Sequence, residues 1–146
     1  MDKHTQINDV LVHLFREIWD LEEKAIITEG FEDISNNDMH IIEAVGLGEG
    51  KNMSEIAKWL HITMGSLTTA MNSLVNKQYV IRERSEEDRR IVNISLTEKG
   101  KKAFLHHQAF HNKMTEAVVR ELPDDEMDML LQLLRRIDEF FRGYAE

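Results

Sequence analysis

The 146-residue chain has no cysteine, a single proline and only seven glycines. The absence of cysteine excludes a disulfide scaffold, a cysteine-bound zinc, a thiol nucleophile and a thiol-based oxidant sensor. Its apolar runs are only a few residues long, which is too short to cross a membrane. Residues 1–6 lack the basic and then apolar build of a signal peptide. We therefore expect one cytoplasmic domain without a membrane partner.

The formal charge of −9 has the wrong sign for a protein that coats nucleic acid over its whole surface. The charge is unevenly distributed, however. Residues 53–102 hold nine Lys and Arg against six Asp and Glu, a net of +3. An acidic body with a locally basic middle is compatible with a nucleic-acid site confined to one face, although short windows often drift by this much.

Apolar residues recur in steps of three and four over residues 6–28, which predicts a first helix with one broad apolar face. A short connection follows Gly30. Ser35 or Asn36 then caps a second helix, which ends at the glycines that begin with Gly46.

Two short helices come next. Asn52 is placed to cap residues 53–60 and Thr63 to cap residues 64–77, with a tight connection between the two helices. The second of these is expected to bury four apolar side chains: Leu67, Met71, Leu74 and Val75.

After residue 77 the apolar residues no longer recur with the helical period of 3.6 but with the strand period of 2. Residues 79–84 and 91–96 are predicted to form two strands of a hairpin. Thr97 caps a long helix through Leu122, and Pro123 starts the last one. The fold class is mainly α with a small β-hairpin, in the order α-α-α-α-β-β-α-α. Two short helices followed directly by a hairpin form a winged helix-turn-helix.

In such a fold the N-terminal half of the second short helix enters the major groove of DNA, which is about 12 Å wide. Thr and Met methyl groups suit thymine methyls, and an asparagine amide suits adenine. The alternative is that these small polar residues only solvate an exposed helix. The candidate DNA-binding residues of this helix are Thr63, Met64, Gly65, Ser66, Thr68, Thr69 and Asn72.

The hairpin supplies the other candidates. We expect Arg90 to enter the minor groove, Asp88 to orient a guanidinium group and Arg89 to bind a phosphate. Arg82 and Arg84 are further phosphate candidates, and Ser85 begins the tip of the hairpin. The alternative here is an ordinary solvated turn with local ion pairs.

Four segments together resemble the MarR family of bacterial transcription regulators. They are Met53-Ser54-Glu55-Ile56-Ala57, Leu67-Thr68-Thr69, Asp88-Arg89-Arg90 and Leu96-Thr97-Glu98-Lys99-Gly100. The resemblance implies a homodimer in which residues 6–34 and 97–146 form intertwined dimerisation helices, while residues 35–96 form the DNA-binding region. It also implies a pseudo-palindromic operator in double-stranded DNA, with recognition helices about 34 Å apart.

Within the family, the chain resembles the repressors of fatty-acid synthesis genes in Firmicutes. The residues that carry this similarity include Phe31-Glu32-Asp33-Ile34-Ser35, Met39-His40, Gly65, Arg84-Ser85-Glu86 and Phe110-His111. The resemblance implies that a long-chain acyl-acyl carrier protein acts as co-repressor, with its acyl chain inside the dimerisation region.

A ligand pocket of this kind needs apolar walls and a polar group at one end. The candidate ligand-binding residues are Phe15, Trp19, Met39, His40, Phe104, His107, Phe110 and Met114. Plain core packing is the alternative for each of the apolar ones. The alternative ligands are a small aromatic molecule and zinc. A zinc site would draw on His40, His106, His107 and His111 with Glu23 or Glu29, but a pair of histidines four residues apart is a weak signal. No cofactor or bound metal is predicted.

Two other classes of function are alternatives to a ligand-responsive DNA-binding regulator. An enzyme is disfavoured, because the sequence has no glycine-rich phosphate loop, nucleophile elbow or metalloprotease motif. A winged helix that binds protein rather than DNA is the stronger rival. Replacing Arg90 with alanine distinguishes a protein-binding winged helix from a DNA-binding one, since only the DNA-binding protein would lose operator binding while remaining dimeric.

Overall fold

The computed structural model describes residues 1–28 and 30–145, with the side chains at 27, 28 and 145 excepted. Its elements follow the predicted order, with one additional short strand. They are α1 (Lys3–Thr28), α2 (Asn36–Val45), β1 (Lys51–Asn52), α3 (Met53–Leu60), α4 (Met64–Asn76), β2 (Val80–Arg84), β3 (Val92–Leu96), α5 (Glu98–Val119) and α6 (Asp124–Ala145). The mainly helical winged fold is therefore confirmed.

Some predicted boundaries were wrong by a few residues. The first helix begins at Lys3 instead of residue 6, and α4 ends at Asn76. Each long strand begins one residue later than expected. The helix expected to run through Leu122 ends at Val119, because the chain turns just before Pro123, where the Leu122 amide donates to the Val119 carbonyl.

Strand β1 was missed because two residues cannot show a period-2 pattern. It joins a three-stranded antiparallel sheet in the order β1-β3-β2, with Lys51 opposite Ile94 and Arg82 opposite Ile94 on the other side. Gly50 leads into β1 with φ of +108°, and a Cβ there would lie 2.5 Å from the Ile94 carbonyl oxygen. The close approach of β1 to β3 therefore requires glycine at this position.

Three predicted helix caps are confirmed. Ser35 caps α2 in a reciprocal capping box with Asp38, and Asn52 caps α3 in the same way with Glu55. Thr63 caps α4 by accepting a hydrogen bond from the Ser66 amide.

Both helices of the helix-turn-helix end in the same backbone motif. After α3, His61 has φ of +55°, and the Ile62 amide donates to the Ala57 carbonyl. After α4, Gln78 has φ of +68°, and the Tyr79 amide donates to the Leu74 carbonyl. This is the Schellman motif, in which glycine is the usual left-handed residue.

The chain divides into two compact units, Met1–Phe110 and His111–Glu146. The first unit holds a core in which the largest fully buried side chains are Tyr79, Met39, Ile42, Ile56, Leu67, Met71, Leu74, Ile94 and Val45. The burial expected for Leu67, Met71 and Leu74 is confirmed, and Val75 is only half-buried.

Large apolar side chains are exposed along α1 and, in the second unit, along α6. Those of α1 include Ile7, Val10, Leu14 and Phe15, and those of α6 include Leu131, Leu134, Phe140 and Phe141. Exposed apolar faces of this length are uncommon on the surface of a monomeric protein. No helix in the part of the chain that the structure describes is long and apolar enough to cross a membrane.

Candidate nucleic-acid interface and sensor region

The first two turns of α4 form an exposed, uncharged surface. Thr63 lies at the cap, and Met64, Gly65 and Ser66, which open the first turn of the helix, are all exposed. Such a helix start accepts the close approach of a phosphate or a base edge.

The hydroxyl groups on this surface already donate within the protein. Thr68 Oγ1 donates to the Met64 carbonyl over 2.7 Å, and Thr69 Oγ1 donates to the Gly65 carbonyl over 3.2 Å. Thr63 Oγ1 donates to Ser66 Oγ over 3.0 Å. What the two helical threonines present to a partner is therefore a methyl group and an oxygen acceptor, because each hydroxyl proton is bound to the preceding turn.

The hairpin of β2, β3 and the loop between them (residues 80–96) is the wing of the fold, and an ion pair orders its tip. Asp88 accepts hydrogen bonds from Nε and the NH2 group of Arg90, both over 3.0 Å, and also from the Arg90 backbone amide. The Arg90 guanidinium lowers the pKa of Asp88, and the carboxylate in turn raises the pKa of Arg90. The orienting role expected of Asp88 thus has a defined geometry, while the Arg90 side chain stays 90% exposed.

The base of the wing is held by other contacts. Arg84 donates to the carbonyl of Arg89 over 2.8 Å, which closes the hairpin from its own strand. The Ser85 hydroxyl accepts a 3.3 Å hydrogen bond from the Asp88 amide. One guanidinium nitrogen of Arg82 donates to Asn72 Oδ1 on α4, so the wing and the recognition helix are linked directly.

A cleft of about 450 Å³ separates the start of α3, the start of α4 and the wing. Its walls include five of the predicted DNA-binding residues: Met64, Thr68, Arg82, Arg84 and Arg90. The others (Thr63, Gly65, Ser66, Thr69, Asn72, Ser85, Asp88 and Arg89) belong to the same helix and hairpin. Three arginines facing one cleft make it suited to a phosphate backbone.

The start of α3 was predicted as a capped helix start, but its place beside the candidate DNA-binding residues was not predicted. Asn52, Met53 and Ser54 line the same cleft as the arginines. The capping pattern of Asn52 and Glu55 marks a helix start, but it gives no sign of a DNA-binding surface.

The segment Leu96–Gly100 supports the turn after the recognition helix. The Thr97 hydroxyl donates to the Gln78 carbonyl over 2.6 Å, and Lys99 Nζ donates to the Lys77 carbonyl over 3.1 Å. A Cβ at Gly100 would lie 2.1 Å from the Tyr79 carbonyl oxygen, so only glycine fits there. These residues therefore fix the position from which α4 projects.

Several of the candidate ligand-binding residues lie in a polar cluster between α1, α2 and α5. This cluster, called the polar seam below, contains Glu22, His40, Glu43 and His107. His40 Nε2 lies 3.2 Å from Glu22 Oε2, and His107 Nε2 lies 3.3 Å from Glu43 Oε2. The two imidazole rings are 5.9 Å apart, and Trp19 packs edge-on against His40 at 6.2 Å. Glu22 and His107 are buried.

The seam includes one residue that sequence reasoning missed. Asn36 is buried on the face of α2 that it shares with His40 and Glu43, and neither atom of its amide group has a hydrogen-bond partner among the residues that the structure describes. A buried amide of this kind is costly unless a water or a ligand satisfies it.

The apolar ligand candidates are distributed more widely. Met39 is fully buried, and Phe104 packs against the core. Phe110 is half-buried, Phe15 is exposed, and Met114 belongs to the second unit. The structure thus brings Trp19, His40 and His107 together, whereas Phe15 stands apart on the exposed face of α1.

The zinc alternative gains no support from the geometry. In residues 1–28 and 30–145 no group of three or more His, Asp or Glu is arranged to hold a metal ion. Glu23 instead accepts a hydrogen bond from Trp19 Nε1, and His106 bonds to the Ala25 carbonyl. Glu29 lies outside the described residues.

Comparison with known proteins gives a consistent result. Residues 24–106 match the family model for the transcriptional regulator SarA/Rot. The chain is 32% identical to Streptococcus pneumoniae FabT, crystallised in complex with DNA, with a TM-score of 0.92 over 97% of this chain and 99% of that one.

Two further relatives agree. The uncharacterised HTH-type regulator YpoP of Bacillus subtilis is 28% identical over 141 residues, which cover 94% of this chain and 92% of YpoP. Staphylococcus aureus MepR, in its DNA complex, shares the fold at 24% identity and a TM-score of 0.69, over 88% of this chain and 96% of that one.

Proposed function

This chain belongs to the MarR family of winged-helix, DNA-binding transcriptional regulators, and from that premise we propose that it is a homodimeric repressor of fatty-acid biosynthesis genes. Its co-repressor in this proposal is a long-chain acyl group carried on acyl carrier protein. Because its relatives are regulators, an enzymatic role has no support from them.

The observation that carries the DNA-binding assignment is the cleft in front of α4. Arg82, Arg84 and Arg90 face it from the wing, and Thr68 and Met64 face it from the recognition helix. The arginines would take the phosphate backbone and the minor groove, while the helix would take base edges in the major groove. This division of labour explains how a chain with a net charge of −9 can bind DNA through one face.

Dimerisation is supported by the exposed apolar faces of α1 and α6. A second copy of the chain would bury these side chains in a two-fold interface and present two recognition helices. Their spacing would then equal about one turn of DNA, roughly 34 Å, which requires a pseudo-palindromic operator.

Three observations support the acyl co-repressor. The sequence resemblance to repressors of fatty-acid synthesis genes, carried by residues such as Phe31-Glu32-Asp33-Ile34-Ser35, suggests the fatty-acid pathway. Trp19 offers apolar surface beside the polar seam, and His40 with the buried amide of Asn36 offers hydrogen bonds to the polar end of an acyl chain. A ligand that stabilises one spacing of the two heads would raise DNA affinity, and DNA would then raise ligand affinity by the same factor.

The test is a DNA-binding titration at fixed salt on the promoter nearest the chain's own gene. It is repeated with long-chain acyl-acyl carrier protein, with unacylated carrier protein, with zinc and with benzoate. Tighter binding with the acylated carrier alone is the expected result. A response to zinc alone or to benzoate alone would replace the proposed ligand, and failure to bind any duplex would favour a protein-binding winged helix.

A pair of tryptophan variants separates the sensor from the DNA-binding surface. Trp19→Ala should remove the response to the acylated carrier while DNA affinity without ligand and the dimer, checked by sedimentation, are retained. Trp59→Ala is the matched control, since Trp59 is also exposed but lies on α3 away from the polar seam. An unchanged acyl response in Trp19→Ala would contradict the proposed location of the ligand.

A further inference from the structure

We infer that Asn72 is a positioning residue that holds the Arg82 guanidinium in the DNA-binding cleft, and that it does not read a base. The inference rests on the proposed DNA-binding function and concerns how the site is built. It replaces the sequence-based expectation that the Asn72 amide pairs with adenine.

The link joins two elements of different kinds. Asn72 lies on α4, one turn beyond Thr68, and Arg82 lies at the middle of β2. The backbone of Arg82 is fixed by its pairing with Ile94 of the central strand, and Val80 on the same strand face is buried. The side chain of Arg82 therefore starts from a rigid position and reaches α4, where Nη1 donates to Asn72 Oδ1.

The chemistry of the amide decides between the two roles. Adenine recognition uses both ends of an asparagine amide, with Oδ1 accepting from the adenine amino group and Nδ2 donating to N7. In this structure Oδ1 already accepts a hydrogen bond from a cation. Such charge-assisted bonds are about twice as strong as neutral ones, so the amide is oriented towards the wing.

Arg82 gains from the same contact. A guanidinium has five N–H donors, and the bond to Asn72 uses one of them. Because Arg82 also lines the cleft together with Arg84 and Arg90, its remaining donors are available to a phosphate there. An arginine that is already held in place loses less conformational freedom when it binds.

The experiment is a double-mutant cycle on DNA. Wild-type protein first selects a duplex from a random-sequence pool, and that duplex is the probe for Asn72→Ala, Arg82→Ala and the double variant. Asn72→Ala should weaken binding by about tenfold, the size of one hydrogen bond to a charged group. In the Arg82→Ala background the same change should cost less than about twofold, because the two residues act through one contact.

Two further readouts exclude a merely structural role. Arg82→Ala should reduce the slope of log affinity against log salt by about 0.9, the value of one phosphate. On a panel of duplexes that differ at single base pairs, Asn72→Ala should keep the wild-type ranking. Asn76→Ala, one turn further along α4 and exposed, is the matched control and should bind like the wild type.

The opposite results are equally distinct. If Asn72→Ala relaxes discrimination at one base pair, or costs as much without Arg82 as with it, Asn72 reads a base and the inference is overturned. If the wild-type protein selects no duplex, the proposed function fails and the inference fails with it.

Discussion

The Tyr79 hydroxyl donates a 2.6 Å hydrogen bond to Asp33 Oδ1 across 46 positions of sequence. Tyr79 is fully buried directly after the recognition helix, and Asp33 lies in the loop between α1 and α2. Lys99 completes the arrangement: its ammonium group lies 4.3 Å from the centre of the Tyr79 ring and 3.3 Å from Asp33 Oδ2. These contacts link the loop before α2, the residue that follows α4 and the start of α5, which are distant in sequence.

We expect Tyr79→Phe to lower the free energy of unfolding by about 1 kcal/mol, the usual size of one hydrogen bond. The loss should be no larger, because the Asp33 side chain is 45% exposed and water can take the place of the phenol. Phe also keeps the ring beneath Lys99. Urea denaturation measures the change. Tyr144→Phe, at an 81% exposed position, is the control and should have no effect, and a neutral Tyr79→Phe would show that the hydrogen bond contributes nothing.

Asp33 also predicts how stability depends on pH. The hydrogen bond from Tyr79, followed by the contact with Lys99, lowers the pKa of Asp33 from its ordinary value of 3.8. Burial and the Asp33 carboxylate raise the pKa of Tyr79, so its proton stays in place for the bond. A carboxyl group whose pKa is lower in the folded state than in the unfolded state stabilises the fold above the unfolded pKa. That contribution disappears as the pH falls through the folded pKa.

The measurement is urea denaturation of the wild type and of Asp33→Asn between pH 7 and pH 3. The stability advantage of the wild type should be constant near neutrality and should shrink below about pH 4, where the unfolded chain takes up its proton. Other carboxyl groups contribute equally to both proteins and cancel in the difference. The assignment would be wrong if the two proteins lost stability in parallel.

Replacing Gln78 with glycine should stabilise the protein by about 1 kcal/mol, because a left-handed conformation strains a side chain with a Cβ. Gln78 has φ of +68° and is exposed, so its side chain contributes little packing that glycine would lose. Asn76→Gly, at the last residue of α4 and also exposed, should destabilise slightly, by about 0.3 kcal/mol. Thermal denaturation of both variants checks the sign, and two changes of the same sign would contradict the backbone explanation.

Sequence patterns predicted those parts of the fold that depend on neighbouring residues. The caps at Ser35, Asn52 and Thr63 were found because each capping hydrogen bond closes within three residues. The Asp88–Arg90 pair was anticipated for the same reason. Residues that interact over short separations leave a local signature.

Contacts between residues that are distant in sequence leave no such local signature. No local pattern shows that Asn72 meets Arg82, that β1 pairs with β3, or that His107 approaches Glu43. Gln78 and His61 were missed because the usual sign of a left-handed helix end is glycine, which is absent from both positions. The sequence indicates only a possible cap at Asn36, whereas its amide is buried and has no hydrogen-bond partner in the described part of the chain.

A substitution of Arg90 on the wing is expected to lower DNA affinity without lowering the stability of the fold. Arg90→Ala should weaken operator binding by roughly tenfold or more and reduce its salt dependence, because Arg90 faces the cleft and is exposed to a partner. Its stability and its dimerisation should be unchanged, since exposed ion pairs add little. Arg142→Ala breaks a similar exposed pair, with Asp138 on α6, and should leave DNA affinity as it is. Wild-type affinity in Arg90→Ala would favour a winged helix that binds protein.

Thr68 tests what the recognition helix presents to DNA. Because its hydroxyl proton is donated to the Met64 carbonyl, Thr68 can offer a base only its methyl group and an oxygen acceptor. If the methyl group packs on a thymine, Thr68→Val should keep binding within about threefold, whereas Thr68→Ser should lose about tenfold. Thymine-to-uracil replacement in the duplex, which removes the base methyl, should weaken the wild type and leave Thr68→Ser unaffected at the contacted position. The reverse order of the two variants would mean that the oxygen accepts a hydrogen bond from an adenine or cytosine amino group.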